Sequence, residues 1–254
     1  MDLKRDELKI FLDEKYNLYN RPAFIESDPI QVPHQFSKPE DIEIAAFLTA
    51  SIAWGNRKMI IKNAKTIISL LDNAPLDFVT NSKETDLENL GFFVHRTFNG
   101  SDLIFFLKSL QNIYKNHGGL RNIFESNFID VKSSLANFRE IFFSIEHPLH
   151  VKKHVPDVIK KSAAKRLNMF LMWMVRNDNR GVHFGLWNKI PTHELKLPLD
   201  VHTANVGRKL GLLHRKQNDW QAVEEITDEL RKFDEKDPVK YDFALFGLGV
   251  FEKF

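Results

Sequence analysis

Along most of this chain apolar residues return every third or fourth position, and no run alternates convincingly with a period of two. Helices carrying one apolar face must bury that face against other helices, so the pattern points to an all-α protein. Its segments cover about 4–16, 39–53, 57–72, 102–116, 132–145, 159–176, 201–212, 219–233 and 238–252. The punctuation agrees with them. Ser37-Lys38-Pro39-Glu40 has the form of a capping box with proline in the first turn, and Trp54-Gly55-Asn56 breaks the helix that follows. Asn99-Gly100-Ser101-Asp102 stops one segment and caps the next, which Gly118-Gly119 ends. The 22 phenylalanines fall at helical spacing and are expected to fill the core between helices.

Composition removes several function classes. With no cysteine, the chain has no disulfide, no thiolate zinc site and no cysteine-ligated iron–sulfur cluster. The apolar stretches, Phe170–Val175 among them, are too short to span a bilayer. The start, Met-Asp-Leu-Lys-Arg-Asp-Glu, has no apolar signal region, so a cytoplasmic protein without a membrane partner is expected. Net charge is only +2, but residues 151–180 hold eight basic side chains against Asp157 and Asp178. Such a patch suits either a solvated helix face or a phosphate-binding surface.

Two residues stand out for chemistry. Asp200 follows the extended Leu197-Pro198-Leu199 and precedes the helical spacing of Val201, Ala204, Val206, Leu210 and Leu213, which is an N-cap position. A carboxylate there is an ordinary cap, and it is also a carboxylate held rigid and ionised. Lys165 lies in Ser162-Ala163-Ala164-Lys165-Arg166-Leu167-Asn168-Met169-Phe170-Leu171, near the start of an apolar helix. A helix N-terminus and partial burial both favour the free amine that Schiff-base chemistry needs, with Lys161 as the competing nucleophile. The histidines of Glu146-His147-Pro148-Leu149-His150 and His154 match no metal motif, and they are expected to be chance residues of a loop.

The string from Lys165 to Leu171, followed by Pro198-Leu199-Asp200-Val201-His202-Thr203-Ala204-Asn205-Val206-Gly207-Arg208-Lys209-Leu210-Gly211, resembles the helix-hairpin-helix DNA glycosylases of the endonuclease III and 8-oxoguanine glycosylase superfamily. Glu43 to Asn56 is similar to their early helix, which ends at the base pocket, and Asp242 to Gly249 to their closing helix. The 35-residue interval from Lys165 to Asp200 is nearest to the archaeal 8-oxoguanine branch, and the chain also looks like a member of a related bacterial domain-of-unknown-function family. The resemblance implies a two-subdomain helical fold with no iron–sulfur cluster. One helical subdomain would cover about 39–150, the other about 151–254 plus the N-terminal residues 1–38. It implies a nucleoid-associated, monomeric, bifunctional glycosylase and lyase that removes an oxidised purine, 8-oxoguanine first, from double-stranded DNA. Lys165 would attack the sugar and Asp200 would assist. Ser51, Trp54, Asn56 and His202 would bind the base, while Lys160, Lys161, Ser162, Arg166 and Arg208 would hold DNA. The family's Gly-hydrophobic-Gly hairpin is replaced here by Lys160-Lys161-Ser162-Ala163-Ala164, so a monovalent cation at this divergent hairpin is the sole cofactor implied. The missing glycines leave a non-catalytic module binding nucleic acid or a modified nucleoside as the alternative. The stretch around 175–196, with Arg180, His183 and Trp187, would form a lid or a DNA-contact loop.

Overall fold

The computed structural model describes residues 4–254. In chain order the helices are α1 (Arg5–Tyr19), α2 (Ala23–Ser27), α3 (Pro39–Ser51), α4 (Arg57–Leu70), α5 (Pro75–Asn81) and α6 (Glu84–Glu88). A minimal antiparallel hairpin follows, β1 (Val94–His95) against β2 (Phe98–Asn99), with Val94 opposite Asn99 and His95 opposite Phe98. Then come α7 (Gly100–Asn116), α8 (Gly119–Glu125), α9 (Val131–Phe142), α10 (Lys165–Val175), α11 (Val201–Lys209), α12 (Trp220–Arg231) and α13 (Asp242–Val250). The protein is all-α apart from that hairpin. No helix among the described residues is long and apolar enough to cross a membrane.

The chain divides into two compact units: a continuous one, 27–156, and a split one formed by the described part of 1–26 with 157–254. Residues 27–38 go with the continuous unit, not with the N-terminal segment, because the 3-10 turns Pro29–Gln31 and Pro33–Gln35 pack on α3 and α4. Residues 151–156 also belong to the continuous unit.

In the continuous unit α3 is the central element. Ile42 through Ser51 are all buried, as expected of a helix that is apolar nearly all round. The Phe47 ring meets Phe106 at 5.9 Å and both Phe138 and Phe142 at 5.5 Å, in stacked, edge-on and tilted pairs. The phenylalanines form the core, as their spacing predicts. Lys38, not Ser37, is the N-cap of α3, with Pro39 at its first position and no side-chain cap.

In the split unit α13 packs on both α1 and α11. Two glycines make this possible. A Cβ on Gly247 would lie 2.1 Å from Cδ2 of Tyr19, and one on Gly249 would lie 3.0 Å from the His202 Cβ, so only a bare backbone fits against α1 and α11. The core between these helices is aliphatic, with Leu8, Leu12, Val206, Ile226, Leu245 and Leu248 at its centre.

A guanidinium with no exposed surface, Arg176, closes the other side of the split unit. Its Nε donates to Asp237 at 2.9 Å, Nη1 pairs with Asp178 at 2.7 Å, and Nη2 donates to the Tyr16 hydroxyl at 3.0 Å. Burial alone would lower the Arg176 pKa, and Asp237 and Asp178 reverse that and hold it raised.

Candidate functional site

The helix expected over 159–176 starts at Lys165, and what precedes it is a compact turn. Asp157 Oδ1 accepts from the amides of Ile159 (3.1 Å) and Lys160 (3.2 Å), winding a single turn. The Ser162 amide closes back onto the Asp157 carbonyl at 3.0 Å, and Lys161 takes a left-handed backbone with φ 66°. Ala164 is left-handed as well, with φ 48°, and is the N-cap of α10. Asn168 locks the turn from inside the helix, its Nδ2 donating to the Ala163 carbonyl at 3.1 Å. Continuation of the preceding turn into α10 is blocked by a tertiary contact. Ser162 bridges Asp219, and the Trp220 amide donates to the Lys161 carbonyl at 2.9 Å. Two of the carbonyls a monovalent cation would need at this turn therefore already accept internal hydrogen bonds.

Lys165 is the first residue of α10, half-buried, and its amine makes no ion pair or hydrogen bond among the described residues. Arg166 behind it is drawn further in, and burial pulls its guanidinium down to about 10. Lys160 and Lys161 are exposed and Ser162 half-buried.

Asp200 is the N-cap of α11, its Oδ1 accepting from the Thr203 amide at 2.9 Å. His202 is exposed, with its Cβ facing Gly249. No ion pair or hydrogen bond joins Asp200 to Lys165. The elements that carry them are nonetheless tied together through Arg208. Its guanidinium reaches out of α11 to the carbonyls of Arg215 (2.8 Å) and Lys216 (2.9 Å) and to Asn218 Oδ1 (2.6 Å). Arg215 pairs with Asp219 at 2.5 Å, and that pairing holds the Asp219 carboxyl down to about 2. Asp219 is the residue that bridges Ser162 in the turn before Lys165. Arg208, expected on DNA, thus spends its donors as a clamp. Arg215 and Asp219 were not legible as part of the site, since i,i+4 arginine and aspartate read as an ordinary surface pair.

The expected base-binding residues lie in the continuous unit. Ser51 is buried at the end of α3. Asn56 is the N-cap of α4, accepting from the Met59 amide at 3.2 Å, so its side-chain oxygen has a structural use. Trp54 is half-exposed between two imidazoles, with His95 edge-on at 5.0 Å and His154 stacked at 6.0 Å. Burial lowers the His95 pKa against the Trp54 carbonyl, which raises it, and Arg96 adds to the lowering. Asn63 Nδ2 lies 2.7 Å from its Nδ1.

The histidines beyond Pro148 are not chance loop residues. Leu149–His154 is a 3-10 helix that turns His150 and His154 toward Asp102, a carboxylate with no exposed surface. Their Nε2 atoms lie 3.3 Å from Oδ1 and 3.2 Å from Oδ2, while the Asn99 amide donates to Oδ2 at 2.9 Å. Only the i,i+4 spacing of His150 and His154 signalled this. His147 stays apart, against Phe105 and Phe143. Among the described residues no group of three or more histidines and carboxylates could hold a metal ion.

The stretch expected to be a lid is pinned down. Trp187 is fully buried against Phe170 at 5.3 Å and its amide donates to the Met174 carbonyl. His183 is buried on Phe243, and Arg180 lies over the Tyr16 ring at 4.5 Å and donates to Asn17.

No curated protein and no solved structure matches the chain. A family model does match over residues 28–251, nearly its whole length, and the chain belongs to that family, described as Protein of unknown function (DUF2400).

Proposed function

We propose that this protein is a DNA base-excision glycosylase with lyase activity, of the helix-hairpin-helix kind, with Lys165 as nucleophile and Asp200 as the assisting carboxylate. One observation carries the proposal: the Arg208 clamp ties the helix capped by Asp200 to the turn that ends at Lys165. That turn has lost the hairpin glycines but keeps left-handed backbone at Lys161 and Ala164, where glycine is favoured. Asp200 has one oxygen fixed by its cap, which leaves the carboxylate rigid for charge stabilisation.

In the proposed reaction the Lys165 amine bonds to the anomeric carbon as the N-glycosidic bond breaks, and its electron pair leaves with the base, which takes up a proton. Asp200 stabilises the oxocarbenium-like charge and accepts a proton from Lys165. Opening of the sugar ring gives a Schiff base, and β-elimination then cleaves the strand. The substrate of first choice is 8-oxoguanine in duplex DNA. No step runs through a bound cation.

Borohydride trapping on an 8-oxoguanine duplex tests this, with Lys165→Gln and Asp200→Asn beside the wild type. A covalent adduct that disappears in Lys165→Gln is the expected result. An adduct that survives moves the nucleophile to Lys161. No adduct and no base release over a panel of lesions overturns the enzyme and leaves a nucleic-acid-binding module.

A further inference from the structure

From Ile44 to Leu71 the continuous unit carries no acidic residue, and its four basic residues all lie in α4. Their arrangement is not scattered. Lys58, Lys62 and Lys65 stand at i, i+4 and i+7, all exposed, so they form one stripe about 10 Å long on the solvent side of the helix. Among the described residues none of the three amines makes an ion pair or a hydrogen bond. The opposite face of α4, Ile60, Ala64, Ile67 and Ile68, is buried in the core and holds the helix in place.

The β1–β2 hairpin adds a fifth cation beside this stripe. Arg96 sits at the hairpin turn with φ 57°, exposed and without an ionic partner. Its guanidinium lies across Gly55, where a Cβ would come within 2.7 Å of Nη1. Gly55 immediately precedes the α4 cap Asn56, and His95 reaches Asn63 at 2.7 Å, so the hairpin flanks the lysine-bearing helix. The hairpin segment 92–99 also contains no acid.

We infer that this face is a docking surface for the phosphate backbone of duplex nucleic acid, separate from the residues assigned to chemistry. A row of unneutralised cations on a rigid helix has few structural uses, because exposed like charges at i,i+4 repel and destabilise a helix slightly. A polyanion relieves that repulsion and releases counterions on binding. A lipid surface is the poorer fit. Membrane-bound amphipathic helices insert a continuous apolar face, whereas the core-facing side of α4 is buried in the protein and Met59, Phe92 and Val94 are the exposed large apolar side chains left beside the lysines. The surface reads no base, so it contributes affinity and orientation without sequence preference. It stands independently of Lys165 and Asp200.

Fluorescence anisotropy with a short undamaged duplex, titrated over a range of salt concentrations, tests the surface. Replacing Lys58, Lys62 and Lys65 together by Gln should weaken binding and make the slope of log K against log salt shallower by about 2.7. The corresponding Lys→Arg triple should keep the wild-type slope. All three side chains face solvent, so the melting curve of each variant should overlay the wild type, which separates lost contact from lost fold. An unchanged slope in a folded Gln triple overturns the inference. So does capture by phosphatidylserine vesicles without any duplex binding. The duplex carries no lesion, so failed borohydride trapping leaves this measurement standing, and an unchanged slope leaves the trapping result standing.

Discussion

Inside the continuous unit the Phe142 ring touches those of Phe47, Phe105, Phe106, Phe138 and Phe143, whereas the split unit, beside its aliphatic core, encloses Arg176 and its two carboxylates. The first kind of core is held by buried apolar area and ring packing, neither of which responds to protons. The second responds to them directly. Burial would raise the Asp178 pKa, but Arg176, Asn20 and the Arg180 amide override it and hold the carboxyl low. Asp13 and Asp234 are lowered likewise, by Lys9, Tyr241 and Lys240 against burial. For a carboxyl depressed in the folded state, the stabilising contribution is full above its unfolded value near 3.8 and disappears as pH falls through the folded value. The proposed chemistry sits in the unit with the acid-sensitive frame.

Removing a ring should do the most damage. Phe142→Ala is expected to cost about 4 kcal/mol, through lost burial and a cavity that neighbouring rings cannot fill. Urea unfolding at neutral pH and at about pH 4 should give the same loss, since nothing around the ring titrates there. A marked difference between the two would show that buried charge in the same unit, Asp102 beside His150 and His154, bears on the phenylalanine packing. Arg176→Met should follow at about 3 kcal/mol at neutral pH, because it leaves Asp178 and Asp237 without their cation. Here the loss should shrink in acid, because the Asp178 carboxyl, without the guanidinium that holds it low, is raised by burial and takes up a proton. A loss of constant size from neutral pH into acid would mean that Arg176 acts by packing, not charge.

The sequence already carried the parts of this frame that are local. Asn99 and Asp200 are caps because a side-chain oxygen meets an amide three residues on, and nothing distant enters the decision, whereas Asn56, expected to bind the base, caps α4 in the same way. The phenylalanine core was legible for the same reason, as spacing along single helices. The start of α10 was not. Lys161 adopts a left-handed backbone where its carbonyl accepts from the Trp220 amide and Ser162 bridges Asp219, and α12 lies far along the chain. Asp102 with His150 and His154, and the Arg208 clamp, are also unions of distant segments. Nor did glycines 247 and 249, inside the helix expected over 238–252, reveal that they are the points where α13 touches α1 and α11.

That last contact gives a third way to probe the split unit, by shape alone. Gly247→Ala places a methyl on the Tyr19 ring, and since Tyr19 also donates its hydroxyl to Glu252, the ring cannot swing away freely. Overpacking of this kind costs about 2 kcal/mol, and thermal unfolding should show it at every pH, unlike the loss in Arg176→Met.

The smallest effect on stability separates frame from function. Asp200→Ala should lower stability by about 1 kcal/mol, the usual worth of an N-cap, while Asp200→Asn should change it by a few tenths at most because asparagine caps as well. Under the proposed chemistry the two substitutions should be alike in activity, each slowing base release by about a hundredfold or more, since neither side chain can stabilise positive charge or accept a proton. Single-turnover base release measured beside urea unfolding makes the comparison. If Asn restores both stability and base release, Asp200 is a cap and no more, and the carboxylate of the proposal must be sought elsewhere in the split unit. If Asn restores stability alone, one side chain is both the cap of α11 and the chemical partner of Lys165, and the rigidity of the cap is what keeps that carboxylate in place.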